Sequence, residues 1–241
     1  MRTHPRRANS SSETTRIRDV YGRRTSLGHR YSSFNKSHLM LMQSRERAVL
    51  SLLQQVGMAD LGGLRILDVG CGTGQWLLDL IRWGADAERV CGVDLNTDRI
   101  RRARRRLPRG IRLGVADGNK LPFKTGEFDL IIMATVVSSI LDESLRRGIV
   151  AEGLRVLAND GYLLWYDMHW NNRRNSEIRG VGRGELNGLF AGYQVIWKRV
   201  TLAPPLSRIA APFSETLHQM LELIPWLRSH TLGIVSKGVQ G

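Results

Sequence analysis

The chain predicts an α/β domain built on a doubly wound, mostly parallel sheet with helices on both faces. Three observations carry this. Short apolar runs that read as buried strands alternate with segments of helical periodicity. A glycine-rich turn, Gly70-Cys-Gly-Thr-Gly74, joins the first such strand to the next helix. Its glycines permit a tight strand-to-helix turn and close approach of a ligand to backbone.

The elements follow in order. Residues 1–20 hold few large apolar side chains and read as a disordered basic tail. Residues 21–64 read as a helical lid. Within it a helix starts at Ser37, with Leu39, Met42, Val49, Leu50, Leu53 and Val56 near one face, and Gly57 closes it. Residues 65–69 predict the first strand, 75–83 a helix ended by Gly84, and 90–95 the second strand. A helix over 97–107 stops at Pro108. Strands follow at 111–115 and 128–134, then a helix at 142–157. Asn159-Asp160-Gly161 predicts a turn into a fifth strand at 162–167. Beyond it lie a short helix at 185–190 and a strand at 193–202, broken by Ala203-Pro-Pro205. A helical stretch at 206–227 is interrupted near Pro225, and a last strand spans 231–237. That makes seven strands, in one core of residues 65–241 with insertions at about 170–190 and 203–229 that cover an acceptor.

Composition narrows the function classes. The 241 residues are 42% hydrophobic and 24% charged, ordinary for a chain able to bury a core. No apolar run reaches the ~18 residues a membrane span needs, so no membrane partner is expected. The net charge is +14, with 31 arginines against five lysines. The skew fits genome composition as well as attraction to acidic partners. Seven arginines crowd Arg99–Arg109. They read as a solvated helix face, with RNA contact as the sharper alternative. Cys71 and Cys91 lack metal-ligand or CxxC spacing and read as reduced thiols of a cytoplasmic protein. The basic N-terminus lacks the apolar core of a secretory signal, and Arg6-Arg7 is followed by no hydrophobic stretch.

The chemistry concentrates between Ile66 and Asp167. Asp68 precedes the glycine turn, and Asp94 ends the next strand, where a carboxylate can accept both hydroxyls of a ribose. A nicotinamide fingerprint wants GxGxxG, whereas here Gln75 follows Gly74. The run Ile66-Leu-Asp-Val-Gly-Cys-Gly-Thr-Gly74 resembles the first motif of class I S-adenosylmethionine-dependent methyltransferases. Cys91-Gly-Val-Asp-Leu95 resembles their ribose-gripping motif, and Val115-Ala-Asp-Gly118 their adenine loop. Leu121–Leu130 and Ala151–Gly161 are similar to the family's later segments.

The resemblance implies a Rossmann-like sheet and S-adenosylmethionine as cofactor. It sets Gly70, Cys71, Gly72 and Gly74 against the methionine part, with Asp68 holding its amino group directly or through water. Asp94 would bind ribose, Leu95 pack on adenine, and Asp117 with Gly118 meet the adenine amino group. Ala134 and Thr135 would lie near the transferring methyl, and Tyr31 and Arg45 would close over the cofactor from the lid. The Asn/Asp-Pro-Pro motif of base and amide methylation is missing, since Met133-Ala-Thr-Val-Val137 stands there.

Position alone offers His169 as general base, Asp167 second and Tyr166 beside them, because ligands sit beyond the carboxyl ends of parallel strands. His169 as a mere loop hydrogen bonder stays an alternative. Arg173, Arg174, Arg179 and Arg183 suit an acidic acceptor group. Trp165, Trp170, Phe213 and Trp226 suit either apolar pocket walls or core packing. No acidic and histidine cluster suggests a metal. The expected function is therefore methyl transfer to a small molecule, plausibly acidic. RNA methylation and a non-catalytic cofactor-binding subunit are the rivals, and residues 217–227 leave a homodimer open.

Overall fold

The computed structural model describes Glu13, residues 15–17, 32–171 and 177–238. Helix α1 (Lys36–Gln55) starts at Asn35, whose side chain accepts from His38 N, and ends before Gly57, held at φ 79°. Then come β1 (Ile66–Val69), α2 (Gln75–Arg82), β2 (Val90–Asp94), α3 (Thr97–Arg106), β3 (Arg112–Val115), β4 (Phe128–Ala134), α4 (Glu143–Val156) and β5 (Leu157–Met168). The last part is α5 (Arg183–Leu189), β6 (Gln194–Leu202), α6 (Pro204–Phe213), α7 (Glu215–Leu223) and β7 (Arg228–Ser236). Asn96 and Asp142 cap α3 and α4 by accepting two first-turn N–H groups each.

The seven strands form one sheet in the order β3-β2-β1-β4-β5-β7-β6. Its pairs are parallel except those of β7, which runs antiparallel between β5 and β6. The apolar runs are continuous because the sheet is covered on both sides. Along β4, Ile131 and Met133 face one core with Ile149 and Leu154 of α4. Leu130, Ile132 and Ala134 face the other, with Leu52 and Leu53 of α1 and Leu77 and Leu80 of α2. The strand order reverses between β1 and β4, which places a ligand crevice beyond their carboxyl ends.

Four expectations change. Met40 and Leu52 turn inward on α1, while Leu39 and Leu50 are exposed, because α1 packs on α6, β6 and β7 as well as on the sheet's core face. Residues 159–161 do not break the chain. β5 begins at Leu157, and a register shift between Phe128 and Leu130 absorbs the extra residues. Pro204 and Pro205 open α6 instead of only ending β6, since the first helical turn needs no proline N–H. The following helical stretch breaks at Ser214 as well as near Pro225, where α7 ends at Leu223 and a short 3-10 turn follows. Ser214 ends α6 and caps α7 through Leu217 N.

The expected tail is not loose at Glu13, whose carboxylate pairs with Arg16 and accepts from Leu141 N at 2.7 Å. The rest of residues 1–12 and 18–20 lies outside the described residues, as does much of the proposed lid, residues 21–31.

Candidate functional site

A cavity of about 820 Å³ opens beyond the carboxyl ends of β1, β2, β4 and β5. That is near the upper end of small-molecule pockets, roughly 300–1,000 Å³. One half is built by the glycine turn. Gly70, Gly72 and Gly74 all take positive φ, at 75°, 58° and 84°. The turn is pinned to β2, because Gly70 N and Cys71 N both donate to Val93 O, at 2.8 and 2.9 Å. A Cβ on Gly70 would stand 2.6 Å from Val136 Cγ2, so this position admits no side chain without movement.

Asp94 closes that half. It is buried, and it accepts from Gly72 N at 2.9 Å and from Asn96 N at 2.8 Å, with Arg99 Nη1 at 3.3 Å. Gly70, Cys71, Asp94, Leu95, Asp117 and Gly118 all line the cavity. Asp117 also accepts from Asn119 N at 2.9 Å, so it shapes its own turn while facing the cavity. Ala134 and Thr135 line it too. Thr135 sits at φ 56°, fixed by its N–H to Tyr166 O at 2.7 Å. Gly72 and Gly74 support the turn without lining the cavity.

Asp68 lies buried beneath the turn, and its Oδ2 has no hydrogen-bond partner in the described structure. Burial, then the neighbouring Asp94 charge, pushes its carboxyl up to about 8. Asp68 does not itself line the cavity, and Arg99 and Arg45 only partly offset the effect of Asp94, so positive charge brought against the turn above it would be favoured. Ribose, adenine and a cationic amino-acid part thus have matching groups here, and the residues fit S-adenosylmethionine.

The other half is walled by residues from α1, β5, β6, β7 and α6. Tyr166 stacks on His230, with centroids 4.7 Å apart and planes 6° off parallel. The Tyr166 hydroxyl shares a 3.0 Å hydrogen bond with Thr201 Oγ1, and His230 Nδ1 shares one of 2.9 Å with Ser229 Oγ. Burial drives His230 down to about 3 and Tyr166 up to about 12. Arg45 lies buried over the Trp76 ring, 4.3 Å from its centroid, and pairs with Asp79 at 2.5 Å. His230, Thr201 and Arg208 carry no motif. Their only sequence signal is their place at the ends of late elements, and that is read only once β7 is known to enter beside β5.

Other candidates fall elsewhere. Asp167 is buried outside the lining, accepting from Ser138 N at 3.0 Å and Met168 N at 2.8 Å, so it anchors the turn after β4. Burial still raises it to about 6. His169 also lies outside the lining, and burial, then Arg199, lowers its pKa. Tyr166, the third candidate, does line the cavity. Tyr31, Arg173 and Arg174 lie outside the described residues. Arg179 binds Glu143 and Glu185 instead of facing the cavity, and Arg183 is exposed outside it. Trp165 is core, packed on Phe190, whereas Phe213 and Trp226 are 83% and 77% exposed. These two form no pocket wall, because α6 turns Pro204 and Arg208 inward instead.

The comparisons agree with this geometry. Residues 66–161 match the model of a methyltransferase domain family. A malonyl-[acyl-carrier protein] O-methyltransferase of Geobacter sulfurreducens is 34% identical over 137 residues, covering 55% of this chain and 48% of that one. A ubiquinone/menaquinone biosynthesis C-methyltransferase of Citrifermentans bemidjiense is 28% identical, covering 64% and 63%. The chain thus spans about half to under two thirds of these relatives. The structure of a geranyl diphosphate C-methyltransferase from Streptomyces coelicolor superposes with a TM-score of 0.62 at 16% identity, covering 86% of each chain, a likeness of fold.

Proposed function

We propose that the chain, whose residues 66–161 match a methyltransferase domain model, is a class I S-adenosylmethionine-dependent methyltransferase that methylates a small molecule whose nucleophile is already anionic at neutral pH. A carboxylate oxygen, an ionised phenol or an enolate carbon fits that description. The observation that carries the reading is the wall of the second half-cavity. Tyr166 and His230 are both held far from the pKa of a useful proton acceptor. Neither exchanges a proton near pH 7, so each acts as a neutral hydrogen-bonding and stacking group. Arg208 on the same lining supplies positive charge that would hold an anion, while Arg45 beside it is engaged with Asp79.

When bound, S-adenosylmethionine supplies an electrophilic methyl on a sulfonium. Asp94 and Asp117 would hold its nucleoside, and Asp68 with the Gly70–Cys71 turn its amino-acid part. Ala134 and Thr135 would flank the reacting methyl. The chain's own contribution is then placement: Tyr166 and His230 orient the acceptor at near-attack distance, and α1 excludes water. The malonyl and quinone acceptors in the relatives' names are compatible with such a chamber.

The test is transfer of labelled methyl by the purified chain to a panel of carboxylic acids, phenols and enolisable ketones, beside neutral amines and alcohols. Turnover confined to the ionised group supports the reading. Turnover on neutral amines alone overturns it. Binding of S-adenosylhomocysteine without turnover on any acceptor would favour a cofactor-binding partner subunit.

A further inference from the structure

The helix pair α6–α7 has two sides. On one, Pro204 and Arg208 line the large cavity. On the other, half of all the large apolar side chains left exposed among the described residues crowd into positions 209–226. Ile209 and Phe213 sit one turn apart on α6. Met220 and Leu223 follow on α7, and Trp226 on the short turn after it. Each is more than 60% exposed. Scattered exposed apolar residues are ordinary, but a cluster of this size on one helix pair marks an interaction surface.

Charge decides what it fits. Lys36 and Arg47 of α1 border α7 across a small cleft that also holds Glu215, so the rim beside the apolar face carries a net positive charge. A second copy would set one chain of net charge +14 against another. A nucleic acid offers no apolar counterpart to Phe213 and Leu223. An anionic bilayer offers both parts: acyl chains for the rings and aliphatic tips, and headgroup phosphates for the cations. Phe and Trp side chains suit that boundary. No helix among the described residues is long and apolar enough to cross a membrane, and surface seating requires none.

We propose that the outer face of α6–α7 seats the protein on an anionic lipid surface, with the acceptor half of the cavity one helix away. The test is flotation of the full chain with vesicles of equimolar phosphatidylglycerol and phosphatidylcholine, against phosphatidylcholine alone. The double variant Phe213→Ser/Trp226→Ser runs alongside, with S-adenosylhomocysteine binding as the control for folding. The expected result is binding to the anionic vesicles that weakens with salt. The variant, still binding S-adenosylhomocysteine, should lose about tenfold or more in partitioning. Absence of wild-type flotation overturns the proposal, and so does equal flotation of the variant, which would leave charge alone responsible. A concentration-dependent dimer dissolved by the same substitutions would also overturn it, by assigning the face to a second copy.

Discussion

Replacing Asp94 with alanine is expected to cost both ligand affinity and fold stability, and the structure separates the two. Its carboxylate accepts from Gly72 N and Asn96 N, and it sits beside Arg99. Hydrogen bonds to a charged acceptor contribute about 1.5–3 kcal/mol each. Partial solvation of the freed N–H groups should bring the stability loss to about 2–4 kcal/mol. The ribose hydroxyls would lose two bonds of the same kind with the same partial solvation, a net loss of about 2–4 kcal/mol, so affinity for S-adenosylhomocysteine should fall on the order of 30- to 1,000-fold. Asp94→Asn is the sharper variant. Its shape is conserved, but its NH₂ must face one of the two backbone donors. It should therefore lose much of the affinity as well. Calorimetric titration reads the first effect and urea denaturation the second. An alanine variant that folds and still binds within threefold of wild type would refute the assignment of Asp94 to the ribose.

Other consequences follow from the remaining carboxyl and ring groups. Asp68 holds its proton to about pH 8 in the folded chain, whereas the unfolded chain releases it near pH ~4. The folded state therefore carries an extra proton between those values. The stability this provides is present below pH ~4 and lost as pH rises toward 8. Asp68→Asn should raise the Tm of the ligand-free protein more at pH 8 than at pH 5, while weakening cofactor binding. An equal shift at both pH values would contradict the buried, proton-holding carboxyl. His230→Phe keeps a ring against Tyr166 and removes the nitrogens. With His230 neutral down to about pH 3, kcat should change by less than about tenfold, with no inflection between pH 5 and 8 from this residue. A loss of 100-fold or more with a new pH profile would make it a proton acceptor.

The fold was legible wherever burial on both faces left continuous apolar strands, as in Leu130–Ala134, and wherever a breaker marked a helix end, as at Pro108. The residues expected around the cofactor meet at one cavity because each is local in sequence: one glycine turn, one strand-end carboxylate, one loop aspartate. The acceptor half was not legible in this way. Its wall joins Tyr166, Thr201 and His230 through a strand that enters the sheet out of chain order and in reverse, and no local pattern encodes that. His169 follows β5 as well as Tyr166 precedes its end, yet only one of them faces the cavity. A side chain's direction there depends on the alternation along β5 and on the partner strand. Ser214 shows the same limit in miniature. One serine both ends a helix and caps another, a break that no proline announces, unlike the one before Pro225.

The late entry of β7 divides the cavity along the chain. The turn, Asp94, Asp117 and Thr135 all fall within residues 66–161, the stretch shared with the methyltransferase family model. Arg45, Tyr166, Thr201, Arg208 and His230 all fall outside it. Genetic change can therefore act on the two halves at different rates. Under the proposed function, substitution or exchange of the segments before Ile66 and after Gly161 would retune the acceptor while leaving the family-shared half of the cavity untouched.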